Sequence, residues 1–192
     1  MTSSRTARII TDTLAPANLV IAVLLIIGWH STDSLTGLGW GLLAALFCGG
    51  IPFAIIMLGV KRGNWTDKHI RHRHQRAIPL LATMASVLTG IGLLVALDGP
   101  REVLALVLAM LAGLTLTITV TVWWKVSVHT AVASGVAVVL LIAYGLYMAP
   151  LFAGVALIGW SRVALRDHTP AQTVVGAFVG GLAAAVVFSL MR

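Results

Sequence analysis

The chain has 192 residues, 59% of them hydrophobic and only 10% charged, with a mean hydropathy of +1.00. Soluble domains run at roughly 45–50% apolar and about 25% charged, so this composition excludes a disordered chain and argues against an ordinary soluble domain. Thirteen Lys+Arg against six Asp+Glu give a formal charge of +7, whose meaning depends on where those charges sit.

A membrane helix needs about 20 mostly apolar residues. Seven segments approach or meet that length, at approximately 14–30, 37–60, 77–97, 102–124, 129–147, 149–165 and 170–191. At about 20 residues each, they occupy roughly 140 positions and leave no room for a soluble domain. The first segment follows Arg5 and Arg8, as a signal peptide would. No small-residue cleavage site follows Gly28-Trp29-His30, so a retained first helix is expected. The second segment carries Cys48, the single cysteine, which excludes a disulfide framework and a cysteine-based metal site. The sixth segment is the weakest, because Pro150 opens it and charges close it early. In the seventh, Gly176, Gly180 and Gly181 suit close helix packing, since small residues let backbones approach in lipid. Trp29, Trp40, Trp123, Trp124 and Trp160 fall near segment ends, where interfacial tryptophans anchor a span. The fold class expected is all-α: one membrane-embedded domain over residues 1–192, a polytopic bundle of six to seven transmembrane helices.

Threading the chain through seven spans sorts the charges. The N-terminus and the connectors at 61–76, 125–129 and 162–168 share one face. That face holds 11 of the 13 Lys+Arg residues and five of the six histidines: His69, His72, His74, His129 and His168. The other face has only Arg101 and Arg192, with His30. The positive-inside rule makes the basic face cytoplasmic, in a plasma membrane of bacterial type. Topology needs lysine and arginine but not histidine, so the clustering of histidine with arginine is the informative excess. The charge therefore gives no reason to invoke nucleic acid. Juxtamembrane basic residues such as Lys68, Arg71 and Arg73 read as contacts to anionic lipid headgroups. Asp67, His69, His72 and His74 form no credible metal site, because Arg71 and Arg73 oppose a dication.

The three connectors read His69-Ile70-Arg71-His72-Arg73-His74-Gln75-Arg76-Ala77, Lys125-Val126-Ser127-Val128-His129, and Ser161-Arg162 followed after five residues by His168. Arginine forks match phosphate oxygens bidentately and stay charged. Histidine serves as nucleophile or general acid near neutral pH. Two histidines with several arginines suit phosphoryl transfer without a metal, since positioning and electrostatics do most of that work.

At these residues the chain resembles the type 2 phosphatidic acid phosphatase (PAP2) family of integral membrane phosphatases, as a divergent member. The family pattern is K-x6-RP, then PSGH, then SR-x5-H-x3-D. Ser161-Arg162 and His168 match the third motif without a gap. In the second, Ser127 and His129 match while Val126 and Val128 replace proline and glycine. In the first, Arg76 takes the arginine position, with His69 at the lysine and Ala77 at the proline. The resemblance covers approximately residues 60–185. It implies that His168 attacks phosphorus to form a phosphohistidine and that His129 protonates the leaving alkoxide. Arg162 and Arg76 would hold phosphate oxygens, with Ser127 donating a further hydrogen bond. His69 would replace the lysine charge, and Lys125 would approach the phosphate. A water then hydrolyses the intermediate, with no cofactor and no metal.

The chain departs from the pattern at the last position. Gln172 stands where the family has an aspartate that orients the nucleophile. Its amide can accept a ring N–H but carries no charge. Asp167 is next to His168, and on a helix it would point about 100° away, making it a poor substitute. The expected substrate is a lipid phosphate with its anionic group at the interface and its tail in lipid. Polyprenyl phosphates or diphosphates and phosphatidate-like lipids both qualify. The scarcity of extramembrane protein for reading a large headgroup favours the isoprenoid. The alternative is a catalytically degenerate lipid-phosphate binding or carrier protein, supported by Val128 and Gln172. A transporter or channel would place ionisable residues deep in several spans, and the spans from 77 to 97 and 170 to 191 contain none.

Overall fold

The structure, a computed structural model, describes residues 2–63 and 77–192. The described residues are helical throughout, without strands. The chain enters through α1 (Thr2–Thr13), bends by 41°, and continues as α2 (Pro16–Thr32). Pro16 sits at the start of α2, where its missing N–H costs nothing. The bend leaves the last carbonyls of α1 open, and the Asn18 amide donates to two of them, Asp12 O at 3.3 Å and Thr13 O at 3.0 Å. Asp33, left-handed at φ 48°, ends α2 and turns the chain into α3 (Leu35–Ala45). Helices α2 and α3 touch backbone to backbone. A Cβ on Gly37 would collide with Gly28 O, and one on Gly41 with Leu24 O.

A single turn of π-helix over Leu46–Gly50 joins α3 to α4 (Ile51–Lys61). Pro52 offers no N–H to the ladder, and just before it the Ile51 N–H reaches back to Leu46 O. Then come α5 (Ala77–Ala96), α6 (Arg101–Trp123), α7 (Val128–Tyr144), α8 (Leu151–Ala164) and α9 (Pro170–Met191). Helix α9 lies against both α7 and α6, and these three form the centre of the bundle with α2 packed beside them. The core between them is apolar and mainly aliphatic, built from Val23, Leu24, Ile27, Val103, Leu106, Val107, Val139 and Leu140 with Phe188.

Five stretches are long and apolar enough to cross a membrane: Leu35–Lys61, Ile78–Ala96, Arg101–Trp123, Leu146–Ala164 and Pro170–Met191. The bent pair α1–α2 makes a sixth if it counts as one span. The apolar segment expected at 129–147 ends earlier, as the 17-residue α7. Gly145, at φ 99°, breaks it, and Leu146–Met148 join the next element as a turn of 3₁₀ helix. That transfer lengthens the short sixth segment into a 19-residue span, still the least apolar of the five. Between 22% and 33% of each span is buried within the protein. The remainder presents residues such as Leu116, Val122, Val174, Phe178 and Leu190 outward, as lipid contact requires. Hydroxyls within the spans bond back one turn, Thr83 to Pro79 O and Thr115 to Leu111 O, each at 2.8 Å.

The bundle is tied differently at its two ends. One end joins Thr11 to Ser161 across 3.0 Å, Lys125 to Asp167 O, and the Ser127 N–H to Gln172 O. The other joins His30 to Glu102 at 2.7 Å, Arg101 to Met191 O, and Arg192 to Ile142 O. Among the described residues, the N-terminal helix and the connectors at 125–129 and 162–168, assigned to one face by their charge, thus converge in space.

The α7–α9 contact rests on glycine. A Cβ on Gly180 would collide with Ala131 O, and one on Gly176 would lie 2.5 Å from Ser127 O. Gly180→Ala should therefore destabilise the bundle by about 1–3 kcal/mol, the usual cost of overpacking. Gly154→Ala, at a position where nothing lies within 4 Å, should stay within about 0.5 kcal/mol of the parent. Thermal unfolding of the two variants in detergent checks the contrast, and equal melting temperatures would refute it.

Candidate functional site

The site is organised by the turn between α8 and α9. Helix α8 stops at Leu165, and Arg166 takes the left-handed conformation at φ 57°. The Arg166 N–H then bonds Val163 O at 2.9 Å, and the Asp167 N–H bonds Arg162 O at 3.1 Å. This pair of bonds is the Schellman arrangement, which satisfies the carbonyls that a helix end leaves open. The His168 N–H adds a third bond, to Arg162 O at 3.3 Å. The backbone thereby wraps around Arg162 and brings Asp167 and His168 back over it.

The wrap corrects the expectation for Asp167. The expected divergence of about 100° assumed that Asp167 and His168 were helical neighbours. Both lie in the turn, and the Asp167 carboxylate meets Arg162 Nη2 at 2.9 Å. Both side chains are buried, at 2% and 6% exposure, so this ion pair is shielded from solvent. Lys125, from the end of α6, donates to Asp167 O at 2.6 Å. Sequence reasoning missed the pairing. The signal available was Pro170, which biases the preceding residues away from helix.

The nucleophile candidate is held by the start of α9. Thr169 caps that helix with a reciprocal box: its hydroxyl accepts from the Gln172 N–H at 3.3 Å, and its own N–H donates to Gln172 Oε1 at 3.1 Å. The same Oε1 lies 3.2 Å from His168 Nδ1. A backbone N–H can only donate, so the atom facing it must be the amide oxygen. An amide oxygen has no proton, so the bond to His168 requires Nδ1–H. The neutral ring then carries its lone pair on Nε2. A helix-capping box thus sets the tautomer of His168.

His129 lies in the first turn of α7, behind Ser127 as N-cap. Ser127 is fully buried, and its hydroxyl oxygen accepts from the Thr130 N–H at 3.4 Å. Thr130 donates to Thr173 O at 2.8 Å, which stitches the first turns of α7 and α9 together. The positive ends of both helix dipoles therefore lie where Arg162 is, an arrangement that favours anions.

Asp12, His129, Arg162 and His168 line one cavity of about 350 Å³. His129, Arg162 and His168 are buried to 6%, 2% and 7% exposure. From His129 the cavity follows α7 past Val132, Gly135 and Val136 to Val139. The ten residue steps from His129 to Val139 correspond to about 15 Å at 1.5 Å per residue. Its other walls are mostly apolar, including Val20, Phe53, Leu80, Leu106, Met110 and Ala184, with Asn18, Thr83 and Thr117 as polar exceptions. Among the described candidates, Ser127, Lys125 and Gln172 stand outside the lining. Each instead braces a neighbour: the α7 start, Asp167 and His168 respectively. His69 and Arg76 lie outside the described residues, as do Asp67, His72 and His74. Asp12, on α1, is a wall residue to which the sequence reading gave no site role.

No family model matches this chain, and neither a curated protein nor a solved structure matches it.

The tautomer of His168 is measurable. Side-chain ¹⁵N NMR of the labelled protein above neutral pH should show His168 protonated on Nδ1. Gln172→Leu should release the ring to a mixture of tautomers. A wild-type ring protonated on Nε2 would contradict the assigned geometry.

Proposed function

We propose that this protein is an integral membrane lipid phosphatase that works through a phosphohistidine, as the resemblance of its three connectors to the PAP2 family implies. One observation supports this reading above the others: His129, Arg162 and His168 line one cavity whose remaining walls are mostly apolar. That form suits an amphiphile with an anionic head and a hydrocarbon tail. The His168 tautomer supports it too, since a lone pair on Nε2 is what nucleophilic attack requires.

In the proposed reaction the Nε2 lone pair of His168 forms an N–P bond while the bond from phosphorus to the leaving oxygen breaks. His129 gives its proton to that oxygen. Water then attacks phosphorus, breaks the N–P bond and releases inorganic phosphate. Arg162 and Arg76 hold the phosphate oxygens, helped by His69; Ser127 and Lys125 act from behind the lining, bracing the start of α7 and Asp167, and Gln172 orients the nucleophile. Substrates are phosphomonoesters or diphosphates of lipids, of polyprenyl or phosphatidate type. The apolar extension along α7 suits a hydrocarbon tail, and the scarcity of extramembrane protein for reading a large headgroup favours an isoprenoid. By charge bias the site opens to the cytoplasmic face of the membrane.

A second reading, a lipid-phosphate binder or carrier without turnover, is favoured by Gln172, whose amide cannot stabilise a charged imidazole. The two separate in one experiment. Purified protein in detergent is given polyprenyl phosphate, polyprenyl diphosphate and phosphatidate, with chelator present. Phosphate release is expected. Binding without release from any of them would establish the carrier instead.

Substitutions then test the roles. His168→Ala should lower turnover by about a thousandfold or more, as loss of a nucleophile does, and abolish any acid-labile phosphoprotein. His129→Ala should cost roughly a hundred- to ten-thousandfold, the range for general acid catalysis, with the largest losses for poor leaving groups. Gln172→Asp should raise turnover, because a carboxylate restores the missing charge. Unchanged turnover in His168→Ala would end the phosphohistidine assignment.

A further inference from the structure

We propose that Asp167 is a positioning residue for the anion site, acting through Arg162. This rests on the reading of the cavity as a phosphate site and adds a residue to which that reading gave no role. Arg162 lines the cavity and Asp167 does not. The carboxylate therefore grips the guanidinium from outside the cavity, at 2.9 Å on Nη2. Three further bonds hold the grip in place. The Asp167 and His168 N–H groups both close on Arg162 O, and Lys125 anchors Asp167 O at 2.6 Å. Arg162 is thus held at its carbonyl and at one guanidinium nitrogen by the same turn, and that turn is pinned to the end of α6. A long arginine side chain has many rotamers, and a bidentate contact to phosphate needs one of them. The ion pair with Asp167 selects it.

The arrangement also joins two components of the site. Asp167 fixes Arg162, and its neighbour His168 is fixed through Gln172. A displacement of the turn would therefore move the anion ligand and the nucleophile together. Their relative placement is set over a stretch of seven residues, Arg162 to His168.

The test uses the full chain in detergent micelles, with dodecyl phosphate as the probe, read by calorimetric binding and by phosphate release. Asp167→Asn keeps the shape and removes the charge. It should weaken dodecyl phosphate binding about tenfold, the scale on which a displaced positioning group acts. In an Arg162→Lys background the same change should alter binding less than about twofold, because the group it positions has gone. A residue that merely stabilised the fold would give the same loss in both backgrounds. Should Asp167→Asn not yield folded protein, Asp167→Glu decides. It keeps the charge but shifts it by one methylene, and should weaken binding by about threefold. Binding by either variant equal to or tighter than the parent overturns the inference, tighter binding marking Asp167 as a competitor for Arg162. If the parent binds no dodecyl phosphate, the phosphate site itself is refuted and this role with it. Parent turnover with unchanged Asp167 variants refutes this role alone.

Discussion

The buried ion pair between Arg162 and Asp167 is the constraint on which the rest of the site hangs. An isolated guanidinium at 2% exposure would be prohibitively costly beside apolar helices, and the carboxylate at 2.9 Å makes its burial tolerable. Such pairs seldom add net stability, because desolvation of both ions offsets their attraction. Their use is specificity of placement, and here the placement is reinforced by the main chain. A positive φ at Arg166, with a non-glycine residue in that conformation, is needed to turn the chain back. The cost of the left-handed residue is offset by three backbone bonds closing on Val163 and Arg162. Without that turn, Asp167 would continue away along α8 and Arg162 would lose its partner.

The turn has to be presented to a second element, and glycine makes that approach possible. Helix α9 leaves the turn and packs on α7 so closely that Gly176 and Gly180 face the carbonyls of Ser127 and Ala131. Lipid offers no hydrophobic drive for this contact, so close van der Waals packing must supply it. The Thr130 bond to Thr173 O and the Ser127 bond to Gln172 O then set the register between the two helix starts. That register places His129 and His168 on the walls of the same cavity. A shift by one turn, about 5.4 Å, would separate them. The packing of small residues is thus a condition for the two histidines to share a cavity, although no glycine contributes a functional group.

Much of this architecture was legible before any coordinates. Apolar run length located the helices, because a span must be continuous to satisfy its own backbone in lipid. Charge segregation located the end of the bundle where the connectors meet. The spacing from Arg162 to His168 marked two residues that now line one cavity. What failed to show was decided by backbone conformation at single residues. Gly145 ends α7 early, and periodicity cannot register a residue at φ 99° inside an apolar run. Asp167 was misplaced for the same reason: a helical projection was applied to a residue two positions beyond the last helical turn. Gln172 was read as an orienting group, and its bond to His168 is present. Its second role, closing the cap with Thr169, emerges only from the geometry. Asp12, on α1 before the 41° bend into α2, is a wall residue that run length and charge segregation do not single out.

An amide rather than a carboxylate at Gln172 bears on the balance of charge as well as on the partner of one histidine. Asp167 already neutralises Arg162, and a second carboxylate on His168 would add negative charge to the end of the cavity where an anion is proposed to bind. An amide accepts the Nδ1 proton equally well and adds no such charge. It also leaves the imidazole without the pull toward protonation that a carboxylate exerts. With Arg162 paired, part of the attraction for an anion falls to the helix starts of α7 and α9, whose dipoles point the same way. Asp167 and Gln172 thus differ in kind: one supplies a negative charge that places an arginine, and the other supplies orientation to a histidine without charge.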